Sequence, residues 1–171
     1  VSNRSASDAI TFDIINTAAT ATVTVADGDA ASGISEKQTI ILESTDGTSK
    51  TYVVVDDNAT TVATGDILSS GSDTGASTAG AGLAGGIAVA INLTGSASTQ
   101  NTFLVQLKAA IEHANGHNGK ITVSSVPGSA DGAQSITLTQ GTQGAAGNTT
   151  VTEGLANVTA TSFSGGKGIS D

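Results

Sequence analysis

One Tyr and three Phe, with no Trp, Met or Cys, must serve a chain of 171 residues. Aromatic rings supply much of the buried area of ordinary cores, so this core has to come from Val, Ile, Leu and Ala. Such a core is shallow. At about 25 cal/mol per Å² of apolar area removed from water, a lone subunit gains little, and self-association would add buried area. Gly, Ala, Ser and Thr dominate the remainder. Thr and Val favour strands, because branched side chains suit a pleated surface.

The same scarcity excludes several function classes. The chain carries 15 Asp and Glu against 6 Lys and Arg, a formal net charge of -9. A nucleic-acid binder would show a basic stripe with stacking aromatics, and neither is present. Disulfide scaffolds, zinc fingers and thiol enzymes all need Cys. No unbroken apolar run is long enough to span a membrane. With 37% hydrophobic and 12% charged residues, the composition is also unlike that of disordered chains. The sequence starts at Val1 rather than Met, which reads as a processed or trimmed product. Val1 to Ser7 is polar, so no intact signal peptide is expected. The lack of Cys leaves the compartment open.

Periodicity outlines one α+β domain over 17–166, between an N-terminal arm or first strand at 1–16 and a tail at 167–171. Ala9 to Ile15 reads as that strand or arm. Thr20 to Ala26 alternates, with Thr22 and Thr24 on one face and Val23 and Val25 on the other. Thr39 to Glu43 and Lys50 to Val55 form a hairpin around Thr45-Asp46-Gly47-Thr48, where Asp-Gly suits the turn. Asp57 to Gly86 is rich in Gly, Ala and Ser and reads as a long insertion with few side chains able to hold a core. Ile87 to Leu93 is either a strand or the end of that excursion. A helix is expected over Thr99 to Ala114, capped by Ser98 or Thr99, with Phe103, Leu104, Leu107 and Ile111 in one apolar stripe. Asn115-Gly116 should end it as a left-handed cap. Strands follow at Ile121 to Val126, Ser135 to Thr139, Thr149 to Thr152 and Asn157 to Phe163. The expected architecture is a largely antiparallel β-sheet arrangement covered by one main helix, with the 57–86 insertion.

Reactive constellations are sparse. His113 and His117 stand four apart, the spacing of a helical metal pair, but Gly116 intervenes, and solvated helix-end histidines are the preferred reading. Asp27, Asp29, Asp56 and Asp57 are weak calcium candidates through oxygen ligands. The order of an EF-hand loop is not met, and turn residues with solvated charge are preferred. Gly80 to Gly86 lacks the Lys-Ser/Thr of a phosphate loop. No G-x-S-x-G elbow occurs, and nothing assembles a nucleophile with a base and an orienting acid. The chain is expected not to be an enzyme, and no cofactor is expected apart from the calcium candidates.

The second half resembles a module of tailed-phage structural proteins, of the marine phage and prophage type. The segments that carry the resemblance are Leu107-Lys108-Ala109-Ala110-Ile111, Ile121-Thr122-Val123, Ile136-Thr137-Leu138-Thr139-Gln140 and Gly144-Ala145-Ala146-Gly147-Asn148-Thr149, with the ending Val158 to Gly166. The first half adds Ile40-Ile41-Leu42 and Asp46 to Val53. The order is similar to that of tail-sheath insertion domains: a helix ending in Ala-Ala-Ile, a hairpin, then a Gly-Ala-x-Gly-Asn turn. It covers about Ala21 to Gly166, apart from the insertion. The resemblance implies a virion surface or assembly role and supplies no catalytic residues.

Two segments are candidate arms: Asp8 to Ile15, with Ile10, Phe12, Ile14 and Ile15 as its apolar residues, and Gly165-Gly166-Lys167-Gly168. Disordered termini are the alternative. An arm can add a strand to a neighbour's sheet edge through main-chain pairing. The leading expectation is a non-enzymatic virion structural protein that binds itself and other virion proteins such as capsid or tail, with head decoration favoured over tail or fibre. It is expected to bind neither nucleic acid nor membrane. The alternative is a bacterial extracellular or cell-surface protein: an adhesin repeat, filament or surface-layer subunit, stabilised by calcium in one version. An enzyme or carbohydrate-binding module ranks third, because the lone Tyr52 offers no stacking platform for sugar.

Overall fold

The computed structural model describes residues 15–26, 33–55, 62–69, 87–93, 100–128 and 132–168. Nine strands and one α-helix occur among them. In chain order they are β1 (Thr20–Val25), β2 (Thr39–Glu43), β3 (Ser49–Val55), β4 (Ile67–Ser69), β5 (Ile87–Asn92), α1 (Gln100–Glu112), β6 (Ile121–Val123), β7 (Gln134–Gln140), β8 (Thr152–Glu153) and β9 (Val158–Ala160). A 3-10 turn, Ala145–Gly147, follows β7. The strands make a four-stranded sheet in the order β6-β7-β1-β9 and a five-stranded sheet in the order β4-β5-β3-β2-β8. This is the expected α+β class, with two sheets and one α-helix among the described residues.

The four-stranded sheet is antiparallel throughout. Alternation dictates its faces. Val23 and Val25 of β1 and Ile136 and Leu138 of β7 are buried. The register sets Thr20 against Thr139, Thr22 against Thr137 and Thr24 against Ser135 on the other face. Hydroxyls therefore line the outer surface of β1 and β7, and Thr24 Oγ1 meets Ser135 Oγ at 2.8 Å. Thr pairs of this kind stabilise a sheet through packing and hydrogen bonding without charge.

The five-stranded sheet is mixed, because β3 and β5 run parallel. Both faces of its centre are covered, which explains the unbroken apolar runs of β3 and β5. Tyr52, Val54, Val89 and Ile91 join the main core between the sheets. Val53, Val55, Ala88 and Ala90 belong to a second, smaller cluster with Val62 and Leu68. Val62 and Leu68 are thus two of the few side chains of the 57–86 stretch that do hold a core. Val62 and Leu68 are 6% and 3% exposed, and β4 pairs antiparallel with β5. Asn92 Nδ2 also donates to the Val62 carbonyl. The reason is local: Val62, Ile67 and Leu68 stand together in a stretch that holds one other large apolar residue, Leu83. Residues 57–61 and 70–86 lie outside the described set, and so do the expected caps Ser98 and Thr99. Of the stretch Ile87 to Leu93, Ile87–Asn92 is a strand.

Helix α1 buries Phe103, Leu104, Leu107, Ala110 and Ile111, the expected stripe with Ala110 added. Its end differs from the expectation. Gly116 does not adopt a left-handed backbone; the positive φ falls at Gly119, at 73°. Gly116 is needed for space, because a Cβ there would sit 2.1 Å from the Ala110 carbonyl oxygen and 2.6 Å from that of Ile111. The chain folds back tightly enough for His117 N–H to reach the Ile111 carbonyl at 2.7 Å.

The sandwich closes differently on its two sides. On one, Phe163 N–H donates to Thr149 O at 2.9 Å, and Val151 N–H donates to Ser162 Oγ at 3.3 Å, which brings the β8 and β9 edges together. On the other, α1 lies against β5 and β6, and its side chains cover the β6 edge. Glu112 Oε1 accepts from Val123 N–H at 3.2 Å, and Lys108 Nζ donates to Val123 O at 2.8 Å. The two side chains pair with each other at 2.6 Å. An edge with its main-chain groups taken up in this way cannot template another strand.

Truncating Phe103, 1% exposed, to Ala should cost about 3–5 kcal/mol of unfolding free energy in urea. Gly116→Ala should also destabilise the fold, despite ordinary backbone angles, because the new methyl meets backbone oxygen. A melting temperature unchanged by Gly116→Ala would refute that account of the helix end.

Candidate functional site

The densest polar arrangement among the described residues surrounds the tip of the β2–β3 hairpin. The tip is built locally. Gly47 supplies a φ of 78°, Ser44 N–H donates to Thr48 O at 2.9 Å, and Asp46 Oδ1 accepts from Ser44 Oγ at 2.6 Å and Thr48 N–H at 3.1 Å. The expected Asp-Gly turn is thus present, with the Asp side chain bonding back to its own loop.

The tip is seated from the helix side by the turn after α1. His117 is fully buried, so the reading of it as a solvated helix-end histidine is corrected. Its Nε2 lies 3.0 Å from the Thr48 carbonyl and its Nδ1 lies 2.7 Å from the Tyr52 hydroxyl. A carbonyl only accepts, so Nε2 carries the proton and Nδ1 accepts from the Tyr52 O–H. Burial, above all, holds the His117 pKa below its ordinary 6.5, with Lys50 and Lys120 adding to the effect and the Thr48 carbonyl opposing it. Burial likewise pushes the Tyr52 hydroxyl up. Two cations tie the same seam. Lys50 Nζ donates to Asn115 O at 2.7 Å. Lys120 Nζ reaches Asp46 Oδ2 at 2.7 Å and Thr48 Oγ1 at 2.8 Å. Lys120 first, then Ser44 and Thr48, hold the Asp46 carboxyl well below the usual carboxylate range.

The other sheet grips the tip through Gln140. Its Oε1 accepts from Thr45 N–H at 2.9 Å and Thr45 Oγ1 at 3.2 Å. Its Nε2 donates to Glu43 O at 2.9 Å and Thr149 Oγ1 at 3.2 Å. One amide therefore joins β7 to β2, to the hairpin tip and to the segment after the 3-10 turn. A shallow polar hollow lies beside it, lined by Asp46, Gly119, Lys120, Gly141 and Thr142 among others.

A second clamp joins two of the segments that carry the family resemblance. Asn148 Nδ2 donates to Gly166 O at 3.1 Å, and Asn148 Oδ1 accepts from Gly166 N–H at 2.9 Å. Gly166 leaves room, since a Cβ there would sit 2.4 Å from Gly144 O, and Gly144 itself has a φ of 133°. Gly165 to Gly168, expected as a candidate arm, is built into the fold instead. Thr17 Oγ1 donates to Gly165 O at 2.7 Å, and Thr17 and Lys167 exchange main-chain bonds at 2.9 and 3.2 Å.

The remaining candidate residues are not brought together. His113 is exposed, and its Nδ1 accepts from Asn115 N–H at 3.2 Å. With both His117 nitrogens engaged, the His113–His117 pair is no metal site. Asp27, Asp29, Asp56 and Asp57 lie outside the described residues, as do Asp8, Ile10, Phe12 and Ile14. Ile15 is described and is 72% exposed. Among the described residues no cluster of three or more His, Cys, Asp or Glu gathers at metal-binding distance, and no helix is long and apolar enough to cross a membrane.

Sequence reasoning missed Gln140, Asn148 and the buried His117 as struts, although two signals point to them. Gln140 has the inward parity of Ile136 and Leu138. Tyr52 begins an apolar run in a strand, where a buried hydroxyl needs a partner. No protein-family model matches the chain, and no curated protein or solved structure is significantly similar to it.

Gln140→Ala would leave Thr45 N–H and Glu43 O without their partner and should cost about 2–3 kcal/mol in chemical unfolding. A loss no larger than that of an exposed Thr137→Ala change would contradict the strut. The His117 site also sets a pH dependence. Its folded-state pKa is depressed, so below about pH 6.5 the unfolded chain binds the proton more readily than the folded one. Stability should be full above that pH and fall as the pH drops below it, by at most about 1.4 kcal/mol per pH unit. Urea titrations from pH 8 to pH 5 should show this slope in the native chain and in His113→Ala, and not in His117→Gln. A native profile flat over that range would remove the buried neutral imidazole from the account.

Proposed function

We propose that this chain is a non-enzymatic structural protein of a tailed-phage virion, acting by binding copies of itself and, through them, a capsid or tail lattice. Head decoration is favoured over tail or fibre, because one small acidic domain suits a role on a lattice. The observation that carries the reading is how the flanking segments meet the domain. Thr17 pairs with Lys167 and Thr20 with Ser164, so the segments before Thr17 and after Lys167 meet the domain side by side, and Ile15 beside them is 72% exposed. With both flanking segments gathered at one place, the rest of the domain surface is left to neighbours.

Three further features support the same reading. The resemblance described above rests partly on the Gly144–Asn148 and Val158–Gly166 segments, which the Asn148 clamp holds together. The strongest polar side chains, Gln140 and His117, brace backbone and neighbouring side chains, as a load-carrying scaffold requires. The outer face of β1 and β7 carries only Ser and Thr. A hydroxyl both donates and accepts, so such a face can meet a copy of itself without the repulsion that a net charge of -9 imposes elsewhere.

Deleting Val1 to Ile15 is the test. The truncated chain should keep its melting temperature to within a few degrees, while the concentration needed for assembly rises by about tenfold or more. Equal assembly by the truncated and native chains would sink the arm. A melting temperature that moves with calcium or chelator would favour a calcium-stabilised extracellular subunit instead.

A further inference from the structure

Of the four sheet edges, β8 and β9 face each other and β6 is taken up by Lys108 and Glu112. β4 differs. Its register with β5 sets Ile67 against Val89 and Leu68 against Ala88, and Ala90 N–H donates to Asp66 O at 2.9 Å. In an antiparallel ladder the bonded residues alternate, so Leu68 bonds inward to β5, and the main-chain groups of Ile67 and Ser69 point away from the sheet. Among the described residues no backbone hydrogen bond meets them. Apolar side chain is exposed at the same place. Ile67 is 46% exposed and Ile87, diagonal to it on the same face, is 65% exposed. An outward main-chain edge beside exposed isoleucine is what an added strand recognises: hydrogen bonds give the pairing, and alternate side chains give the fit.

We propose that β4 is the acceptor edge for the Asp8 to Ile15 segment of a second copy of this chain. The inference rests on the self-assembly reading and names its contact. In Asp-Ala-Ile-Thr-Phe-Asp-Ile-Ile, extension places Ile10, Phe12 and Ile14 on one face, with Asp8 at its far end, and Ala9, Thr11, Asp13 and Ile15 on the other. The apolar face covers Ile67 and Ile87, and the other face meets water. Ile10 stands five residues before Ile15, so at about 3.4 Å per residue the apolar face lies within about 17 Å of the exposed root, and the accepting copy is an immediate neighbour. Ile15, exposed at the root, lets the segment leave the body of its own subunit. Each copy gives one arm and offers one edge. The contact is therefore heterologous, and repetition generates a ring if the rotation closes and a filament if it does not.

The chain has no Cys, so introduced cysteines report this contact without background. Partners across neighbouring strands sit close enough to form a disulfide. Ile67→Cys is combined in turn with Ile10→Cys, Phe12→Cys and Ile14→Cys to allow for register, and Thr137→Cys with Phe12→Cys serves as the control on a distant face. Mild oxidation of the full chain should yield covalent dimers and higher multimers from at least one Ile67 pair, several-fold above the control. Yields equal to the control in a chain that light scattering shows to be assembled would overturn the β4 contact and leave self-assembly standing. An intrachain crosslink in a monomer would overturn the second copy as occupant. Ile67→Lys and Ile87→Lys, both at exposed positions, should keep the native melting temperature and raise the concentration for assembly by about tenfold. Unchanged assembly by both would also overturn the contact.

Discussion

The position of the β2–β3 hairpin, and with it the fit of one sheet on the other, depends on the Gln140 amide. The core between the sheets is made of Ile, Leu, Val and Ala with few rings, and aliphatic cores of this kind tolerate repacking before they lose compactness. Directional bonds remove that freedom. Gln140 bonds Thr45, Glu43 and Thr149 at once, with two acceptor and two donor contacts from one side chain. Gly147 makes room for it: a Cβ there would lie 3.2 Å from Gln140 Cγ and 3.0 Å from Thr45 Oγ1. The glycine of the Gly-Ala-Ala-Gly-Asn segment and the glutamine that ends β7 therefore form one device.

His117 performs the corresponding task on the helix side. Packing of Phe103, Leu104, Leu107 and Ile111 on Tyr52, Val54, Val89 and Ile91 is non-directional, so by itself it does not fix the turn after α1. The Tyr52–His117–Thr48 relay and the Lys50 and Lys120 contacts fix the turn after α1 to the hairpin. A buried network of this sort stabilises only while every member is satisfied, which ties it to pH through the imidazole. Together the two devices give a small, aromatic-poor domain a single arrangement, a property that repeated contact between identical subunits requires.

Much of the fold was legible in the sequence. β1 and β7 show period-two alternation, the β2–β3 hairpin shows Asp46-Gly47, and α1 shows a stripe from Phe103 to Ile111. These are elements with one face in the core and one in water. The elements that the sequence leaves open or hides lack that contrast. β5 is buried on both faces, so Ile87 to Asn92 carries no alternation and reads as either a strand or the end of the preceding stretch, and β4 is three residues long inside a Gly-rich stretch. Gly116 looks like a conformational signal but answers a steric one, because close approach leaves no mark in a single sequence. His117 was assigned to solvent from its distance along the chain, whereas its burial depends on Tyr52 and Thr48, at least 65 positions away.

The functional account rests on two flanking segments that meet the domain side by side, on β4 as the proposed acceptor edge and on the apolar residues that precede Ile15 in the sequence. Its central claim is self-association, and molar mass by light scattering across protein concentration tests it most directly. The account predicts a discrete oligomer, or growth into rings or filaments, as concentration rises. A monomer of 16.5 kDa at every concentration would contradict it.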